Sequence, residues 1–198
     1  MYFTKSIDTG SRITTRENTL TENTTQSTEG RRFFTVCIAV AAGIVLLDQL
    51  TKWAILQWVP LYDKLALNSF INITHQQNPG AAFSFLADAS GWQRWFFTAL
   101  AVTVSAAIVV WLWRIRRDGQ YLLAAGLALV LGGALGNVID RIRFGYVVDF
   151  IQVLIVGWPF PSFNVADSAI TVGAALLIVD ALFFSGKQQS VEAGNSGR

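Results

Sequence analysis

The chain contains one histidine and one cysteine, and only 14% of its 198 residues are charged. A single histidine cannot supply the two that an HExxH zinc site requires, and no serine lies in a GxSxG elbow, so zinc-protease and serine-triad chemistry are both excluded. His75 falls in a polar loop with no metal-ligand spacing around it and reads as a solvated side chain. No metal and no cofactor are expected. Cys37 lies inside an apolar run, so no intrachain disulfide can form, and it reads as small core filler. Charge is scarce where a soluble domain carries about 25%. The net charge of +2 is also dispersed, which excludes the clustered basic face that a nucleic-acid partner needs.

What is abundant is apolar: 53% of residues are hydrophobic and the mean hydropathy is +0.44, a membrane composition. Four stretches reach the roughly 20 residues that cross a ~30 Å hydrocarbon core. They run from Phe33 to about Trp58, Trp95 to Trp113, Tyr121 to about Ile139, and Val165 to Phe184. Arg31 and Arg32 precede the first, and Arg114, Arg116 and Arg117 fill the link between the second and third, so both termini are expected on the cytoplasmic side. The two longer connections then face outward, carrying interfacial tryptophans such as Trp58, Trp92, Trp95 and Trp158.

The first outer connection alternates apolar and polar residues over 67–75 and ends in Asn78-Pro79-Gly80, which predicts a small β element closed by a turn. The expected fold is thus an all-α membrane protein of four transmembrane helices with a small extracytoplasmic β element between helices 1 and 2. Residues 1–30 are rich in Ser, Thr, Glu and Asn and predict a disordered cytoplasmic tail. Residues 31–186 form the membrane domain and 187–198 a flexible tail. Gly132, Gly133 and Gly136 in the third span read as helix-packing glycines.

Intramembrane polar residues are costly and so are functional candidates. Asp48 lies about 22 Å beyond Phe33 and Asn137 about 24 Å beyond Tyr121, both in the outer third. Asp167 begins the fourth span at the same edge, with Asp140, Arg141 and Asp149 in the outer connection or at its rim. Asp48 and Lys52 are spaced to pair on one helix face, as are Asn137, Asp140 and Arg141. Asp149 and Asp167 have no basic neighbour in sequence. Two such carboxylates can share a proton and activate water, although Asp167 also suits a helix N-terminus. Asp180, about 20 Å deeper than Asp167, reads as a solvated interfacial carboxylate.

Five blocks, Leu47-Asp-Gln-Leu-Thr-Lys-Trp, Asn78-Pro-Gly-Ala-Ala-Phe-Ser-Phe-Leu, Gly133-Ala-Leu-Gly-Asn-Val-Ile-Asp-Arg, Gly145-Tyr-Val-Val-Asp-Phe-Ile and Phe163-Asn-Val-Ala-Asp-Ser, resemble the signatures of lipoprotein signal peptidases. The resemblance covers about residues 33–184 and leaves out the N-terminal tail. It implies an aspartic endopeptidase with Asp149 and Asp167 as the catalytic pair. Asn137, Asp140, Arg141 and Asn164 would support the site, Asp48 and Asn78 would line the pocket, and Lys52 and Gly80 join the supporting set. It further implies diacylglyceryl-prolipoprotein substrates cut before the lipidated cysteine, contact with membrane lipid, inhibition by globomycin, a monomeric enzyme in the bacterial inner membrane, and an outer segment over the site. A proton-coupled transporter would place polar groups at several depths. Here they crowd one layer.

Overall fold

Helices satisfy every backbone donor and acceptor inside hydrocarbon, and each apolar run folds as one. The computed structural model describes residues 9–80 and 91–184, with side chains from residue 26. In it α1 is Thr9–Trp58, α2 Trp92–Arg114, α3 Tyr121–Arg143 and α4 Val165–Phe183. All four are long and apolar enough to cross a membrane, α1 through Gln26–Trp58. α3 runs on past Ile139, so Asp140 and Arg141 stand on its last turns rather than in a connection. α1 starts at Thr9, inside the stretch whose composition predicts disorder. Extending a helix that the apolar span has already nucleated costs far less than starting one. Residues 81–90, which hold the rest of the Asn78 block, and the predicted tail 187–198 lie outside the described residues.

α3 is the central helix, buried along most of its length between α1, α2 and α4. Its glycines make that possible. A Cβ on Gly132 would lie 2.7 Å from the Ala41 carbonyl oxygen of α1, and one on Gly133 would lie 2.3 Å from the Ala166 carbonyl oxygen of α4. The backbones therefore touch where side chains would hold them apart. Gly133→Ala should lower stability by about 1–3 kcal/mol, the usual cost of overpacking, read as a fall in detergent melting temperature. An unchanged melting temperature would mean that α3 and α4 are less closely seated.

The expected β element is present as β1 (Lys64–Ala66) and β2 (Ile71–Asn78), an antiparallel pair. It is half of a larger sheet. β3 (Val147–Ile155) and β4 (Trp158–Pro159), from the second connection, extend it to four strands in the order β1-β2-β3-β4. The sequence of β3 is a largely apolar run between Gly145 and Gly157, interrupted by Asp149 and Gln152, which fits a strand buried on both faces but lacks the alternation that would distinguish it from a helix. Ile55 of α1 and Val59 just beyond its end pack with Val148 and Phe150 of β3, seating the sheet on the end of α1. A second core, which includes Cys37, Ala41, Leu112, Leu127 and Leu131, joins α1, α2 and α3 nearer their other ends.

Candidate active site

Asp149 sits on β3 opposite Gln76 of β2 and is 3% exposed, because one side of the strand faces the α1 contact and the other the helix ends. Its Oδ2 accepts from Asn78 Nδ2 at 2.9 Å and its Oδ1 from Asn164 Nδ2 at 2.7 Å. Burial pushes the Asp149 carboxyl up from 3.8 to about 7. The amides of Asn78 and Asn164 pull against that rise, and the nearby Asp167 charge adds to it. Asn78 is held in turn by the predicted turn: its Oδ1 accepts the Gly80 amide at 2.9 Å, with Gly80 at a φ of 102° that favours glycine.

Asn164 is the N-cap of α4 and Asp167 is its third residue, and together they form a capping box. The Asp167 amide donates to Asn164 Oδ1 at 2.9 Å, and the Asn164 amide to Asp167 Oδ2 at 3.3 Å. The capping role weighed for Asp167 and its place beside Asp149 are therefore one arrangement. Asn164 spends its oxygen on the helix start and its NH2 on Asp149, so the cap of α4 ties the two carboxylates together. From α3, Asn137 Nδ2 donates to Asp167 Oδ1 at 2.7 Å. Asp167 is partly open to solvent, whereas Asp149 is buried.

Beneath the pair lies a buried charge cluster centred on Lys52. Its Nζ meets Asp48 Oδ2 at 2.8 Å, Asp140 Oδ2 at 2.9 Å and Asn137 Oδ1 at 2.9 Å. Asp48 Oδ1 accepts the Ala166 amide of α4 at 2.9 Å, and Asp140 Oδ2 accepts the Val148 amide of β3 at 3.1 Å. The cluster thus sets both the start of α4 and the position of β3. The Asp48–Lys52 pair matches its spacing. The team expected of Asn137, Asp140 and Arg141 does not form as predicted: Asp140 turns to Lys52, and Arg141 meets Asn137 at its backbone oxygen, at 3.4 Å, with its guanidinium over the Phe97 ring. A buried ammonium has the stronger claim on a buried carboxylate.

Gln49 was not singled out by spacing, yet its Nε2 donates to Asp140 Oδ1 at 2.9 Å and to the Gly136 carbonyl at 3.2 Å. Its adjacency to Asp48 was the only signal. Gly136 itself is more than a packing residue, since a Cβ there would lie 2.7 Å from Asp48 Oδ2. Two solvated readings are corrected. His75 lies on β2, not in a loop, and is 6% exposed with Nδ1 at 2.9 Å from the Val59 carbonyl, because the sheet packs it against the end of α1. Asp180 is 8% exposed and engaged with a partner: it falls seven residues after Gly173, on the face of α4 that meets α3. Among the described residues no cluster of three or more metal-ligating side chains occurs.

The profile of the signal peptidase (SPase) II family matches residues 40–183. The chain belongs to the signal peptidase II family. Lipoprotein signal peptidases of Ralstonia nicotianae and Alteromonas mediterranea are 54% and 48% identical over 138 and 155 residues. They cover 70% and 78% of this chain and 79% and 84% of their own lengths. A bacterial membrane enzyme solved by the in meso method at 1.9 Å resolution superposes with a TM-score of 0.66 at 34% identity, over 77% of this chain and 96% of that one. The signal peptidase II match takes in all ten candidate residues, from Asp48 to Asp167, and it makes this multi-pass membrane protein a peptidase.

Proposed function

We propose that the protein is an aspartic endopeptidase that removes signal peptides from diacylglyceryl-modified prolipoproteins, cutting just before the lipidated cysteine. The observation that carries this is the Asn164 bridge, which holds a buried and a partly exposed carboxylate around one side chain. Asp149, which holds its proton up to about pH 7, starts as the acid, and Asp167 as the base. Asp167 takes a proton from water as the water oxygen attacks the scissile carbonyl carbon, and Asp149 gives its proton to the carbonyl oxygen. The resulting diol collapses, breaking the C–N bond as Asp167 passes its proton to the leaving nitrogen and Asp149 takes the proton of a diol hydroxyl. Asp149 ends protonated and Asp167 ionised, the states from which the next turnover begins.

The arginines at Arg31, Arg32, Arg114, Arg116 and Arg117 support an orientation in the bacterial inner membrane with both termini cytoplasmic and the aspartates at the outer face. A lipidated cysteine holds its acyl chains in the outer leaflet and brings its peptide bond to that height. A monomeric enzyme is expected, with globomycin occupying the pocket.

The test is a gel-shift assay of purified protein on a lipidated prolipoprotein, run across pH. A mature-size product is expected, and kcat/KM should fall as pH rises through about 7, because the shared proton is then lost. The same shift has a stability sign. The native state keeps the Asp149 proton where the unfolded chain has released it, so this group's contribution to stability falls as pH rises from 3.8 to about 7. Failure to cleave the lipidated precursor, or a rate that climbs steadily above pH 7, would refute the assignment.

A further inference from the structure

We infer that the end of the molecule remote from the aspartates binds the phosphodiester headgroup of an anionic phospholipid, in a cleft between α1 and the link joining α2 to α3. The cleft has a volume of about 340 Å³ and is lined by Gln26, Glu29, Phe33, Arg116, Arg117 and Tyr121. None of these residues belongs to the site described above.

The two arginines are set in place by their surroundings. Gly30 is buried beneath them, and a Cβ there would lie 3.0 Å from Arg117 Cγ and 3.4 Å from Arg116 Cγ, so the absence of a side chain lets both stems lie against α1. The Arg116 guanidinium sits 4.0 Å over the Trp113 ring and donates to the Trp113 carbonyl. Among the described residues no ion pair joins Glu29 to either arginine. Two arginines against one glutamate leave the lining with one positive charge, which matches the single negative charge of a phosphodiester. Guanidinium groups suit that ligand because their paired N–H groups match two phosphate oxygens.

Glu29 adds a preference. Its carboxylate can accept hydrogen bonds from the free hydroxyls of a phosphoglycerol headgroup, and the net positive lining favours that singly anionic headgroup over a zwitterionic one. A free phosphate could satisfy the arginines equally well, but the walls favour a lipid. Phe33 meets Tyr121 edge-on at 5.4 Å, and Tyr121 and the Trp113 that carries Arg116 expose apolar surface at the cleft, at the ends of their spans. Acyl chains would lie on that surface while the headgroup enters the cleft. In the proposed orientation this is the inner leaflet.

Native mass spectrometry of the full-length protein in neutral detergent tests the assignment, using phosphatidylglycerol, phosphatidylcholine and inorganic phosphate as separate probes. Phosphatidylglycerol should be retained at about tenfold lower concentration than phosphatidylcholine, and inorganic phosphate should not displace it. The double variant Arg116→Gln/Arg117→Gln should lose that preference. So should Gly30→Leu, which keeps every charge but pushes the arginine stems off the helix. Both variants should still cleave prolipoprotein in detergent, which shows that they are folded. Equal retention of the two lipids, or an unchanged preference in either variant, would overturn the site. Displacement by inorganic phosphate would overturn the lipid as its ligand.

Discussion

Asp149→Asn and Asp167→Asn should each lower prolipoprotein cleavage by at least about 10³-fold, since an amide can neither take a proton from water nor pass one to the scissile carbonyl. The surroundings sharpen the expectation for Asp149. Both of its oxygens already accept amide N–H groups, from Asn78 and Asn164, so an asparagine there would turn its own NH2 toward a donor. That mismatch costs some stability, but exchange also removes a carboxylate that burial disfavours, and the variant should still fold. Because the two carboxylates work as one unit, the double variant should be scarcely slower than either single one. Precursor conversion measured beside globomycin binding separates chemistry from folding. Near-normal turnover in either single variant that still binds the inhibitor would pass the chemistry to another carboxylate.

The four spans are legible because a membrane demands long apolar runs, and length alone finds Trp92–Arg114 or Val165–Phe183 to within a few residues. The Asp48–Lys52 pair is legible for a similar reason, since one turn of helix places the two side chains together whatever else is present. Contacts between elements have no such local rule. Nothing in the spacing of α3 indicates that Asp140 would turn from its helical neighbours to Lys52, or that Asn137 would divide its amide between Lys52, Asn164 and Asp167. The strand that carries Asp149 is hidden by its own burial. Covered on both faces, it loses the alternation that reveals β2, and its apolar run reads equally as helix or strand. His75 shows the converse. Its polar neighbours suggest water, but the sheet folds it against Val59, which composition cannot foresee.

Lys52→Met should destabilise the protein by about 3–5 kcal/mol, the usual cost of removing one partner from a buried ionic cluster. Methionine matches the length of the lysine stem, so the loss comes from charge rather than from a cavity. Lys52 is 2% exposed, and Asp48 and Asp140 are fully buried, so no water can replace the ammonium that lies 2.8 Å and 2.9 Å from them. Two carboxylates would be left facing each other in low dielectric. Cleavage should fall as well, because Asp48 holds the Ala166 amide at the start of α4 and Asp140 holds the Val148 amide next to Asp149. The triple variant Lys52→Met/Asp48→Asn/Asp140→Asn separates the two effects. With no charge left to strand, it should recover much of the stability, yet its weaker neutral contacts should leave α4 and β3 loosely set and cleavage low. Unfolding in mixed detergent micelles measures the first effect and precursor conversion the second. A Lys52→Met variant within about 1 kcal/mol of the parent would mean that the three groups do not act as a buried ionic cluster.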